Sequence, residues 1–193
     1  MLQLKKIMVQ AADLPAGWKG SPYKADPSAA SAQADLVSCV GGRNTDSDKV
    51  AEAHSEEFAL GDASISSSAA SYRSQSDLDS DVAMLHSPKL SGCYGELAKQ
   101  QLATTLPAGA TIESTSVKIT PGSAGGPANV VATGTGSIKV TVNGQQRAVY
   151  VGMAFITGPL IEAEVDTFSV GAPITPSELS SLVALVATRA AKG

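Results

Sequence analysis

The sequence predicts an α+β domain: a twisted antiparallel sheet of about five strands packed in two layers with about four helices. Three observations carry this reading. Across the second half, apolar and polar residues alternate in segments joined by short reversals, and strands so joined run antiparallel. Helical periodicity is confined to the first half and the C-terminal end. The 193 residues suffice for one buried core, and no repeat or linker divides them.

Taken in order, residues 1–25 read as an extended N-terminal segment, in which Asp13-Leu14-Pro15-Ala16-Gly17-Trp18 is a turn that lays the only Trp on the domain. Residues 26–106 form a helical part with one strand. Asp26 caps a helix with Pro27 at its first position, and Gly41-Gly42 stops it. Arg43 to Glu57 is polar and irregular, and Ser64 to Tyr72 is a Ser-rich strand. A short helix from Leu78 to His86 ends before Pro88, and a second from Lys89 to Thr105 gathers Leu90, Tyr94, Leu97 and Leu102 near one face.

Residues 111–170 are the antiparallel strands: Thr111 to Thr120, Val130 to Val142, Gln145 to Thr157 and Leu160 to Val170. Asn143-Gly144 marks a two-residue hairpin, because both positions tolerate positive φ. Gly158-Pro159 makes the next reversal. Gly134-Thr135-Gly136 inside a strand marks a bulge or a close approach. Residues 175–190 form the last helix, with Leu179, Leu182, Val183 and Val186 on its apolar face.

Charge narrows the function classes. The formal net charge is −4, and the 14 Lys and Arg are scattered. Nucleic acid and anionic membrane surfaces both require clustered cations, so neither is an expected partner. No run approaches the roughly 20 apolar residues of a spanning helix. The start, Met1 to Val9, has a basic pair but too short an apolar core for a signal peptide. Either the protein is cytoplasmic, or its export signal lies outside this sequence.

The cysteines favour the second. Cys39 and Cys93 each sit in an apolar helical pattern, with no CxxC and no nearby His to make a metal or redox site. A Cys39–Cys93 disulfide is expected, tying two helices together and worth about 4 kcal/mol in the chain-entropy model. The alternative is two buried free thiols. Disulfides persist mainly outside the cytosol, so the pairing implies an extracytoplasmic protein.

No catalytic constellation is found. Only His54 and His86 could serve as imidazole bases; one lies in a polar stretch and the other ends a helix. GxSxG, HExxH and a Walker loop are absent, and Ser21-Pro22-Tyr23-Lys24 matches SxxK by letters alone. No enzyme activity, cofactor or metal is expected.

One sheet face draws attention. Glu162, Glu164 and Asp166 alternate with Ile161, Ala163 and Val165. An even reversal at Gly158-Pro159 would set the acids beside Met153 and Phe155; an odd one sets the apolar row there instead, so an odd loop is predicted. The exposed face would then carry Glu162, Glu164 and Asp166 beside Tyr150, with Lys139 one strand further. These five residues are the candidate ligand-binding set. The alternative is a solvated outer face. Metal binding would need ligands converging from another loop, since alternate carboxylates lie roughly 6–7 Å apart.

The Asp13-Leu14-Pro15-Ala16-Gly17-Trp18 turn, a Cys ending the first helix, the Ser-rich strand before Arg73-Ser74, the Cys93-Tyr94 helix and the meander after it carry a resemblance. Together they resemble small exported envelope domains of mycobacteria and related actinobacteria, among them cell-envelope lipoproteins and the extracellular sensor domain of PknH-type receptor kinases. That resemblance implies a helix-flanked antiparallel sheet, an envelope location and a binding or sensing role without catalysis. Those sensors carry two disulfides, and this chain has cysteines for one. The partner expected is a small ligand or an envelope protein. The alternatives are a lipid or glycolipid carrier with an apolar cavity, or a protein-interaction domain.

Overall fold

The computed structural model describes residues 2–122 and 127–193, leaving aside the side chains of Leu2 and Thr105. Eight antiparallel strands form one open sheet: β1 (Lys19–Ser21), β2 (Lys49–His54), β3 (Glu57–Leu60), β4 (Ala63–Tyr72), β5 (Thr111–Pro121), β6 (Val130–Val142), β7 (Gln145–Gly158) and β8 (Ile161–Val170). Their order is β1-β3-β4-β8-β7-β6-β5, and β2 pairs with the far half of the β4 edge that β3 occupies. The predicted C-terminal meander is thus the middle and one end of a larger sheet.

Five α-helices pack on it: α1 (Leu2–Ile7), α2 (Ala29–Val40), α3 (Gln75–Leu85), α4 (Leu90–Thr105) and α5 (Pro176–Ala190). They lie on both faces, which corrects the expectation of a single helical layer. Leu36, Val40, Met84, Leu85 and Leu90 of α2–α4 meet Ala132, Met153 and Phe155 on the first face. Leu4 and Ile7 of α1 and Leu182, Val183 and Val186 of α5 meet Ile65, Ile156, Ala163 and Val165 on the second.

Two segments depart from the sequence reading. Leu4, Ile7, Met8 and Val9, expected to be extended, enter the second-face core as a one-and-a-half-turn helix and its exit. The Val9 N–H donates to Ser67 Oγ at 2.9 Å, which ties this segment to β4. The stretch expected to be irregular contains β2, where Lys49, Glu52 and His54 face one way and only Ala53 is fully buried. A strand at the sheet edge with polar residues on one face lacks the apolar alternation that would announce it.

The turns behave as their residues require. Asn143 and Gly144 both take positive φ, 51° and 76°, in a tight hairpin between Val142 and Gln145. Gly134 and Gly136 are close approaches: an added Cβ would come within 2.7 Å of Met153 and 2.8 Å of Val151. Cys39 and Cys93 form a disulfide joining α2 to α4, with Cα atoms 5.8 Å apart.

Candidate functional site

The β7–β8 turn decides which side chains meet. Gly158 pairs with Ile161, so the reversal is the two-residue turn Pro159-Leu160, even rather than odd. Pro159 presets the first turn position, and Leu160 takes φ 57° to close it. Asp166 therefore stands opposite Met153 and Glu164 opposite Phe155, the mixed face the sequence argument rejected. Tyr150 pairs with Ser169 and points to the other face, where Lys139 also lies, one strand away and exposed. The five candidate residues are split between the two faces of the sheet.

Glu162 and Glu164 line the floor of a cleft of about 270 Å³ beneath α2 and α4, shared with Lys49, Ser68, Tyr72, Asp81 and Tyr94. A second recess of about 190 Å³ continues past Tyr94 to Asp166, Ser64 and Ser66. The small side chains of β4 leave room for this polar floor. At one end Asp81, only 8% exposed, accepts hydrogen bonds from Thr45 Oγ1 at 2.6 Å and the Tyr72 hydroxyl at 2.8 Å. Tyr72 also reaches Glu162 Oε2 at 3.3 Å.

This setting separates the carboxyls. Burial, followed by the hydrogen bond and charge of Asp81, holds Glu162 well above the usual carboxylate range. Burial and the charges of Asp166 and Glu162 do the same for Glu164. Asp166 is pushed up to about 6 by burial, with a hydrogen bond from Glu164 working the other way. Burial opposes the charge on Asp81, but hydrogen bonds from Glu162, Thr45 and Tyr72 and the charge of Lys49 outweigh it, so it titrates below the usual range. The cleft thus holds an ionised acid beside acids that favour the neutral form.

The second face carries the larger space. The N-terminal half of α5 borders a cavity of about 700 Å³, floored by Thr135, Tyr150, Gly152 and Ser169 and walled by Leu179 and Val183. The geometry of α5 follows from its anchors. At its C-terminal end Gly158 lets the sheet touch the helix, since an added Cβ would lie 2.1 Å from the Ala190 carbonyl oxygen. Asn129 Nδ2 donates to Thr157 O at 2.8 Å and to Ala187 O at 2.9 Å. Arg189 donates to both Asp13 carboxylate oxygens, at 2.7 and 2.8 Å, and to Met8 O at 3.0 Å. Its guanidinium, chiefly through that hydrogen bond, keeps Asp13 below the usual range.

Toward the N-terminus of the helix, Leu179 lies over Gly152. The cavity falls in the range of about 300–1,000 Å³ that small-molecule sites occupy. Of the sequence candidates it includes Tyr150 alone. Ser169 and Leu179 were not singled out as site residues, because strand alternation and helix periodicity give lining residues the same signature as core residues.

The two histidines lie apart from both spaces. His54 stacks on Tyr23, with ring centroids 3.9 Å apart, and His86 Nε2 lies 3.2 Å from Val131 O. Among the described residues, no group of three or more His, Cys, Asp or Glu is placed to hold a metal ion. No helix among them is long and apolar enough to cross a membrane.

No protein-family model matches the chain, and no curated protein matches it. Among solved structures, it is similar to the extracellular domain of PknH from Mycobacterium tuberculosis, with a TM-score of 0.54 and 8% identity. The match covers 100% of this chain and 96% of that one, and the likeness is one of fold.

Proposed function

We propose that this chain is a non-enzymatic, extracytoplasmic binding domain of the sensor type, and that its ligand occupies the cavity beneath the N-terminal half of α5. The observation that carries this is the cavity itself: a space of ligand size with an apolar lining, roofed by one helix and floored by a strand face with isolated hydroxyls. The Cys39–Cys93 disulfide supports an oxidising compartment, and the fold shared with an extracellular domain agrees with export. Neither imidazole hydrogen-bonds a Ser hydroxyl among the described residues, which favours binding over nucleophilic catalysis.

Tyr150 belongs to this site. Lys139 lies on the same face but outside the cavity lining. Glu162, Glu164 and Asp166 belong to the opposite face, where they would act on a polar ligand or on stability. The apolar lining also favours a carrier, in which the bound molecule is cargo; rapid transfer of that molecule to vesicles would distinguish the two.

The test is native mass spectrometry of the protein exported by an actinobacterial host, alongside Thr135→Phe. Thr135 is an exposed strand residue on the cavity floor, so an aromatic ring there fills the cavity without entering the core. A bound small molecule on the parent protein and none on Thr135→Phe is the expected result. No adduct on either, or the same adduct on both, would overturn the assignment.

A further inference from the structure

Building on the reading of the α5 cavity as the binding site, we propose that its ligand is an uncharged ester with two apolar arms, its ester held at Ser169 and Tyr150 and one arm on each flank of α5.

Helix α5 lies along β7 and β8 as a ridge. On its β6 side is the cavity described above. On its other flank, between the helix and the 13–18 turn, a groove of about 480 Å³ is lined by Leu14, Trp18, Ile65, Leu182 and Leu185. Ile174, in the turn leading into α5, lines both spaces. One apolar arm fills only one of them. A molecule that forks at Ile174 fills both.

The polar groups near the fork define what sits there. Ser169 is 3% exposed and lines the cavity, and its hydroxyl has no hydrogen-bond partner among the described residues. A hydroxyl with no protein partner that opens into a cavity is free to donate to a ligand acceptor. Tyr150, its direct cross-strand partner, also has no hydrogen-bond partner for its hydroxyl among the described residues and lines the same cavity. Both hydroxyls are donors suited to the oxygens of an ester.

Charge excludes the obvious competitors. Among the described residues, the only charged ones lining either space are Asp13 and Glu178. Asp13 is taken by Arg189, and Glu178 closes a capping box with Thr175 at the start of α5. No cation is present to receive a free fatty acid or a phosphate, and Glu178 repels both. No free carboxylate awaits an amine. An ester, neutral and accepting, fits what remains.

Trp18, the sole Trp, lines the outer groove and reports on it. The experiment titrates the full chain with dioctanoylglycerol and with monooctanoylglycerol, following calorimetry and Trp18 emission. The two-armed ester should bind about tenfold or more tightly, because it buries a second run of CH₂ groups, and it alone should change Trp18 emission. Ser181→Phe, at an exposed position lining the outer groove, should bring dioctanoylglycerol down to the one-armed affinity and leave monooctanoylglycerol unchanged. Ser169→Ala should weaken both esters. Equal affinities, or a Ser181→Phe protein that still prefers two arms, would overturn the proposal. If monooctanoylglycerol binds the parent but not Thr135→Phe while the second arm adds nothing, the forked ligand falls and the cavity reading stands. If neither ester binds, the ester falls, and the native mass measurement decides the cavity separately.

Discussion

At Gly158 an added methyl group would lie 2.1 Å from the backbone oxygen of Ala190, so neither partner can yield cheaply. Gly158→Ala should cost about 2–3 kcal/mol, the upper range for overpacking, measured as a lowered urea midpoint at constant slope. The buried acids make a second residue-scale prediction, whose sign follows from linkage. Glu162, Glu164 and Asp166 titrate higher when folded than when unfolded. The folded state therefore holds more protons across that window, and stability falls as pH rises through it. Asp13 and Asp81 are shifted down, so their contribution is lost only at strongly acidic pH. The melting temperature should be higher at pH 5 than at pH 7.5. Glu164→Gln should raise it at pH 7.5 and shrink the difference. A melting temperature that rises between those two pH values would show that the acids are ionised in the fold.

Two elements are held by identifiable fasteners. The disulfide closes α2 onto α4 across 54 residues of chain; replacing both cysteines by Ser should cost about 2–4 kcal/mol by thermal or urea unfolding. The C-terminal half of α5 is fastened by Asn129 and Arg189. Asn129→Ala removes the donor to two half-buried carbonyls and should cost about 1–2 kcal/mol. Hydrogen exchange should then quicken around Ala187 and leave α4 untouched. Several elements were legible because their residues act locally: Asn143-Gly144 permits one tight turn, and Gly41, at φ 76°, ends α2 as expected. The β7–β8 turn was not, for a reason that is also local. Its parity was argued from which face ought to be apolar, yet Pro159 with a left-handed Leu160 made a two-residue turn. Glu162 and Glu164 then entered a cleft where partners such as Asp81, Tyr72 and Tyr94 come from distant segments that no strand pattern connects.

On the scale of the molecule, one sheet separates two environments. One face holds carboxyls and tyrosines under α2, α3 and α4, of which the disulfide joins α2 to α4; the other holds hydroxyls and apolar side chains under α5. The α+β class and the C-terminal meander were legible in the sequence, but the second helical layer was not, since α1 is short and its apolar residues fall outside any long periodic pattern. Assigning binding to the α5 face separates Tyr150 from the acids with which it had been grouped. The most direct test is an amide NMR titration of the isotope-labelled chain with monooctanoylglycerol. The account predicts shifts confined to Thr135, Tyr150, Ser169, Leu179 and Val183, around the cavity. Shifts centred on Tyr94, Glu162 and Glu164 would place binding on the opposite face and contradict it.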